Sequence, residues 1–152
     1  MKKSLLLLLV LSSSLLATTV TFQGKEVTLN SKGLAVGADA PQFMAVSKDL
    51  VEVSIGGKED KVQVIAFVPS LDTGVCKLET INFNKNISKM KNVTVKVVSK
   101  DLPFAIARFC QDNNISNVLT LSDYKDAEGA LQYGTTISAP VFLEDFLEES
   151  FI

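Results

Sequence analysis

The stretch that decides the fold of this chain reads Phe67-Val68-Pro69-Ser70-Leu71-Asp72-Thr73-Gly74-Val75-Cys76. It continues an apolar run at 62–68 that is rich in β-branched residues, which is typical of a central strand covered on both faces. Pro69 ends that strand and stiffens the loop, since proline lacks a backbone N–H. Helical spacing of apolar residues follows Thr73, so we expect a helix that begins there and carries Cys76 in its first turn.

The predicted position of Cys76 favours a reactive thiol. Free backbone N–H groups and the positive end of the helix dipole stabilise an anion at a helix start, and thiolate is such an anion. The Thr73 hydroxyl precedes Cys76 by three residues and can hydrogen-bond the sulfur or an incoming oxygen. The alternative is that Cys76 is a small buried apolar residue, as most free cysteines are. The Pro-x-x-x-Thr-x-x-Cys context favours the nucleophile.

The rest of the chain alternates strands and helices. A small β-hairpin is predicted around Gln23-Gly24, and 31–41 is predicted to be a loop. Further strands are predicted at 43–46, 51–55, 93–98 and 118–121, and further helices at 104–112 and 126–133. Strands that alternate with helices indicate a parallel or mixed sheet in an α/β sandwich.

The composition of the 152 residues excludes several kinds of catalytic and metal-binding site. Histidine is absent, which excludes Ser-His-Asp and Cys-His nucleophile pairs and also His-ligated zinc or haem. Two cysteines cannot supply a four-thiolate zinc or iron–sulfur site. The formal net charge of −2 gives no reason to expect nucleic-acid binding. Thiols, carboxylates, hydroxyls, lysines and one arginine, Arg108, remain.

The N-terminus has the pattern of a secretory signal peptide, predicted at 1–17. Lys2 and Lys3 precede a short apolar run, and Ala17 suits the last position of a leader. We therefore expect a periplasmic or otherwise exported bacterial protein with no stable membrane association after cleavage. The alternative is an uncleaved leader that tethers the protein to a membrane. An exported protein with two cysteines can form a structural disulfide or use the pair for redox exchange.

Two segments carry a specific resemblance. Residues 67–76 resemble the peroxidatic motif of peroxiredoxins. A second segment resembles the resolving-cysteine segment of the bacterial thiol peroxidases, an atypical two-cysteine subfamily, and reads Val98-Ser99-Lys100-Asp101-Leu102-Pro103-Phe104-Ala105-Ile106-Ala107-Arg108-Phe109-Cys110. The segments 20–24 and 117–123 and the pair Tyr133-Gly134 also fit, so the resemblance covers residues 20–137.

The resemblance implies a thioredoxin-like fold over residues 18–137 and reduction of hydrogen peroxide and organic hydroperoxides. It implies that Cys76 is the peroxidatic cysteine and Cys110 the resolving cysteine, and that the two form a disulfide. It further implies that Thr73 orients the peroxide and Pro69 shields the pocket. Thioredoxin is the implied reductant and a homodimer the implied assembly, and no metal, haem or flavin cofactor is needed.

Residues 138–152 depart from the family pattern. The family continues through further strands into a final helix, which we expect to be missing here. Its active-site arginine should fall near Glu148, but no arginine follows Arg108. The segment instead predicts a short, acidic, amphipathic helix, and a truncation or frameshift is at least as good an explanation as a new element.

Two other functions therefore stay open. One is a catalytically impaired thioredoxin-like protein or truncated gene product, since the active-site arginine has no counterpart. The other is a thiol–disulfide oxidoreductase acting on proteins. Lys77, Leu78 and Glu79 follow Cys76 with no partner thiol, so the Cys-x-x-Cys pattern of that class is absent.

Overall fold

The computed structural model describes residues 19–22, 24–30, 32–87, 89–125 and 127–137, and it has a thioredoxin-like mixed α/β architecture. The strands of this part are β1 Thr19–Phe22, β2 Lys25–Thr28, β3 Phe43–Ser47, β4 Glu52–Ile55, β5 Val62–Val68, β6 Val93–Ser99 and β7 Leu119–Ser122. The helices are α1 Gly74–Ile87, α2 Pro103–Asp112 and α3 Glu128–Gln132. The predicted leader at 1–17 and the predicted tail at 138–152 lie outside the described residues.

The main sheet has the strand order β4-β3-β7-β6-β5. Strands β5, β6 and β7 are parallel neighbours, whereas β3 pairs antiparallel with both β7 and β4. Parallel neighbours need a crossover connection, which α1 and α2 provide after β5 and β6. The prediction of a parallel or mixed sheet is confirmed.

The prediction that residues 62–68 form a central strand is wrong for the part of the chain that the structure describes. β5 pairs with β6 along its whole length and stands at the end of the strand order. Its side chains from Gln63 to Phe67 are half-buried, because the sheet carries apolar side chains on both of its faces there. An apolar, β-branched run thus predicts apolar contacts on both faces of a strand. It does not predict how many strands pair with that strand.

The sheet separates two apolar cores. Successive strand residues point to opposite faces, so Val97 joins one core and Val98 the other. The helix-side core contains Ile87 of α1 and Ile106, Phe109 and Cys110 of α2. The opposite core is closed by aromatic contacts between Phe67, Phe43 and Tyr133, with the ring centres of Phe67 and Tyr133 5.4 Å apart.

The helix boundaries follow local backbone rules. α2 begins at Pro103, whose missing N–H is harmless in the first turn, and this confirms the predicted helix start. α3 is shorter than the predicted 126–133, because Ala127 has φ +53°, a left-handed conformation that cannot belong to the helix. Gly134, with φ +67°, follows its end, where glycine is the favoured residue.

The predicted N-terminal hairpin is confirmed, since β1 and β2 pair antiparallel from Thr19↔Thr28 to Phe22↔Lys25. The segment after the hairpin pairs with the last of the described residues. The Asn30 N–H donates to the Thr136 carbonyl at 2.8 Å, and Leu29 forms a β-bridge with Ile137. In the part of the chain with described coordinates, no helix has the length and apolarity needed to cross a membrane.

Candidate active site

Cys76 is the third residue of α1 and therefore lies in its first turn, as the sequence predicts. Its side chain is half-buried and packs against the helix-side core. The thiol is free. The N–H groups of a first helical turn have no acceptor within the helix, so they are available to an anion at this position. Cys76 thus combines partial access from solvent with a helix start whose free N–H groups can receive an anion.

The loop that precedes α1 is fixed at both of its ends. Pro69 directly follows β5 and is half-buried, and its carbonyl accepts a hydrogen bond from the Lys100 N–H at 3.4 Å. Leu71 is buried at the middle of the loop. The Lys77 N–H donates to the Thr73 carbonyl at 2.9 Å and so closes the first turn of the helix. These contacts therefore hold the loop that leads into the helix start at Cys76.

The Thr73 hydroxyl has a partner inside this loop. It donates to the Ser70 carbonyl at 3.0 Å, so its proton is directed to the loop backbone and not to the Cys76 sulfur. The Thr73 oxygen can still accept a hydrogen bond, and a hydroxyl rotates readily to donate elsewhere. Orientation of a peroxide by Thr73 therefore stays a prediction. The oxygen can accept from the peroxide as it stands, whereas donation to the peroxide requires this bond to be exchanged.

Asp101 joins the Cys76 loop to the segment that leads into α2, and the sequence reasoning missed it. Its Oδ1 accepts from the Ser70 hydroxyl at 2.7 Å, and its Oδ2 accepts from the Leu71 N–H at 2.7 Å. The Oδ2 atom also accepts from the Ser99 hydroxyl at 2.8 Å. Hydrogen bonds to a carboxylate are stronger than neutral ones, so this side chain fixes the two cysteine-bearing segments to each other.

Parallel pairing of β5 and β6 explains why these segments meet. Val68 lies opposite Ser99, so both strands end side by side at the same edge of the sheet. Loops at the carboxyl ends of parallel strands commonly form the sites of α/β proteins. A carboxylate just before a helix that starts at Pro103 is the sequence signal that could have identified Asp101.

Cys110 lies near the end of α2 and is only 6% exposed. Its Sγ is 3.1 Å from the Thr120 Oγ1 atom of β7. Burial raises the pKa of the Cys110 thiol, and the Thr120 hydrogen bond lowers it by a smaller amount, so the buried thiol is protonated at neutral pH. Thr120 was also not among the predicted site residues. The signal was available, because a threonine between Leu119 and Leu121 places a polar side chain in an apolar strand.

The structure thus brings the two predicted cysteines to one side of the sheet. Pro69 and Thr73 belong to the loop before α1, and both cysteines contact the helix-side core. Both thiols are free, with Cys76 half-buried and Cys110 buried. Arg108 is exposed on α2, two residues before Cys110 and hence on a different face of that helix.

Comparisons with known proteins agree with this site. The family described as Redoxin matches residues 35–149. The thiol peroxidase of Aquifex aeolicus is 50% identical over 124 residues, which cover 80% of this chain and 72% of that relative. The thiol peroxidase of Bacillus subtilis is 42% identical over 118 residues, which cover 78% of this chain and 71% of that relative.

Solved structures give the same result. The crystal structure of a peroxiredoxin-like protein from Aquifex aeolicus is 48% identical, with a TM-score of 0.76 over 80% of this chain and 71% of that one. A thiol peroxidase from Chromobacterium violaceum has a TM-score of 0.68 at 18% identity over 80% of this chain and 70% of that one, a likeness of fold alone. The chain therefore belongs to the Redoxin family and, within it, to the bacterial thiol peroxidases, which are peroxidase enzymes of the peroxiredoxin type.

Proposed function

We propose that this chain reduces hydrogen peroxide and organic hydroperoxides through Cys76, with Cys110 as the resolving cysteine and thioredoxin as the reductant. The single observation that carries the proposal is the free, half-buried Cys76 thiol in the first turn of α1. A second thiol, Cys110, contacts the same apolar core. The sequence similarity to thiol peroxidases supports the same chemistry.

In the first step, the Cys76 thiolate attacks one oxygen of the peroxide. A sulfur–oxygen bond forms and the O–O bond breaks, which gives Cys76 sulfenic acid and an alcohol or water after protonation. Sulfur is oxidised and the peroxide is reduced by two electrons. The helix N-terminus stabilises the attacking thiolate, and Thr73 orients the peroxide once its hydroxyl leaves the Ser70 carbonyl.

In the second step, Cys110 attacks the sulfenic sulfur. The Cys110 thiol first releases its proton, its thiolate forms the disulfide, and the displaced hydroxyl takes up a proton and leaves as water, so no further oxidant is needed. Cys110 must leave the core to reach Cys76, since it is buried in the reduced protein. A dithiol of the thioredoxin class then returns two electrons and two protons, which restores both cysteines.

Intact mass after peroxide treatment tests this proposal. We expect the reduced protein to lose two hydrogens and to give one cross-linked peptide pair that contains Cys76 and Cys110. Thioredoxin with its reductase should reverse the change, whereas Cys76→Ser should show no mass change at all. Two free thiols that persist under excess peroxide would establish the catalytically impaired protein instead.

We further propose that the protein is exported, because residues 1–17 have the pattern of a signal peptide. Fractionation of expressing bacteria tests this. The expected result is a periplasmic protein whose N-terminal residue is Thr18. A membrane-bound protein that still begins at Met1 would support the tethered alternative.

A homodimer is also part of the proposal. Exposed apolar side chains flank both cysteine segments: Val75 is 79% and Leu78 is 63% exposed on α1, and Phe104 at the start of α2 is also exposed. Exposed apolar patches are typical of protein interfaces, and Val75 and Leu78 lie one turn apart on the same face of α1. Sedimentation should show a dimer that Leu78→Lys dissociates, while the exposed control Met90→Lys leaves the dimer intact.

A further inference from the structure

The contact between Cys110 and Thr120 is a polar pair buried in the helix-side core. Cys110 is 6% exposed and Thr120 is 4% exposed, with 3.1 Å between sulfur and hydroxyl oxygen. Cys110 lies among apolar residues such as Ile106 and Phe109, and Thr120 lies beside Val97 in the sheet. A hydroxyl in such surroundings needs a hydrogen-bond partner, because an unpaired buried hydroxyl costs free energy.

The Cys110 sulfur is the partner that meets this need. Among the described residues, the structure gives the Thr120 hydroxyl no other hydrogen-bond partner. When Cys110 withdraws toward Cys76, the hydroxyl loses that partner while it remains on a buried strand of the sheet. The loss opposes the withdrawal, so Thr120 favours the state in which Cys110 stays in the core.

We propose that Thr120 is a positioning residue of the resolving step, which retains the Cys110 thiol in the core and thereby slows formation of the disulfide. The proposal rests on the proposed function, in which Cys110 attacks the Cys76 sulfenic acid and water leaves. Thr120 touches neither peroxide nor Cys76 in this step. It acts only on the equilibrium between the buried and the released positions of Cys110.

Retention controls the rate because the buried thiol cannot react where it lies. Burial raises the pKa of Cys110, so the thiol keeps its proton in the core, and attack requires the thiolate. Release must therefore precede attack. A longer-lived sulfenic acid on Cys76 is open to a second peroxide, which gives sulfinic acid. Thr120 thus sets the balance between disulfide formation and over-oxidation.

Alkylation of Cys110 in a Cys76→Ser protein measures release without any peroxide chemistry. Iodoacetamide should label Cys110 about fivefold faster when Thr120→Val is added, since a hydrogen bond contributes on the order of 1 kcal/mol. Thr120→Ser keeps the hydroxyl and should stay within about twofold of the Cys76→Ser parent. The same rates along a urea series separate local release, which depends weakly on urea, from global unfolding, which depends strongly on it.

Equal labelling rates with valine and threonine at position 120 would overturn the proposal. Faster labelling with Thr120→Val would also overturn it if the labelling rate depends on urea as strongly as global unfolding does. With both cysteines present, Thr120→Val should also form the disulfide about fivefold faster after peroxide and accumulate less sulfinic acid. If no variant consumes peroxide, the proposed function fails, whereas the alkylation rates still decide the role of Thr120.

Discussion

The helices that carry the two cysteines are held in different ways. In α2, Pro103, Ile106, Phe109 and Cys110 are buried, a spacing that places them on one face against the sheet. In α1, a longer helix, only Thr80 and Ile87 are buried. The Thr80 hydroxyl donates to the Cys76 carbonyl at 2.8 Å, so even this buried side chain bonds within its own helix.

One core thus supports two thiols that differ in exposure. Cys76 is half-buried, and it is placed by loop hydrogen bonds and a helix start while its helix remains largely exposed. Cys110 is buried, and it is placed by core packing and by its contact with Thr120. In the proposed reaction, loop hydrogen bonds should therefore govern the attack of Cys76 on the peroxide, and core contacts the attack of Cys110.

Serine substitutions at the two cysteines should have the largest effects, and the two effects should differ. Cys76→Ser removes the nucleophile, so peroxide consumption should be lost. Cys110→Ser leaves the first reaction intact, so the protein should consume one equivalent of peroxide and then stop as a sulfenic acid that over-oxidises. Stopped-flow peroxide assays and intact mass measure both. Equal residual turnover in the two variants would contradict the assigned roles.

Truncations on the two helices should show the difference in packing. Ile106→Ala removes a side chain that is fully buried, and it should lower the free energy of unfolding by about 3 kcal/mol. Val75→Ala removes an exposed side chain from α1 and should change the free energy of unfolding by less than about 0.5 kcal/mol. Urea unfolding of dilute samples measures both. Similar losses would mean that α1 is packed as firmly as α2.

Local rules explain what the sequence could predict. The proline at the helix start predicts α2, and the structure confirms it. The proline and threonine before Cys76 predict a loop and a helix start, and the structure confirms both. Each of these features depends on residues that are neighbours in the sequence.

Long-range contacts explain what the sequence could not predict. The position of β5 at the end of the described sheet depends on which segments pair with it, and an apolar run holds no such information. The bonds from Asp101 to Ser70 and from Thr120 to Cys110 cross between different elements, and they exist only because parallel strands align those elements.

Removal of the Asp101 carboxylate should separate the loop from the segment that leads into α2. Asp101→Asn replaces one carboxylate oxygen with an amide nitrogen. The nitrogen cannot accept the hydrogen bonds that this oxygen receives from the loop or from Ser99. We expect a loss of about 2 kcal/mol in stability and a slower first reaction with peroxide. Asp72→Asn removes a charge from an exposed position in the same loop and is the matched control. If Asp101→Asn matches this control in stability and in its rate with peroxide, the Asp101 carboxylate does not hold the loop.

The smallest expected effect is the part of the pH dependence of stability that Cys110 produces. The ordinary pKa of a cysteine thiol is 9.0, and burial raises the pKa of Cys110 in the folded protein. Lys48 and Asp49 act on this pKa in opposite directions, and the Thr120 hydrogen bond lowers it, but burial is the dominant cause. The folded chain therefore holds this proton at pH values where the unfolded chain has already released it.

The sign of the effect follows from proton linkage. Below pH 9 both states hold the Cys110 proton, and above it the unfolded state binds fewer protons, so the free energy of unfolding falls as pH rises. Burial also raises the pKa of Tyr133 from 10.0, so its phenol adds to the loss only at higher pH. Urea unfolding from below pH 9 to just under pH 10 should show a steeper decline for the parent than for Cys110→Ala. Parallel declines would mean that Cys110 is as well solvated in the folded protein as in the unfolded chain, and the contrast between the two thiols would then lose its physical basis.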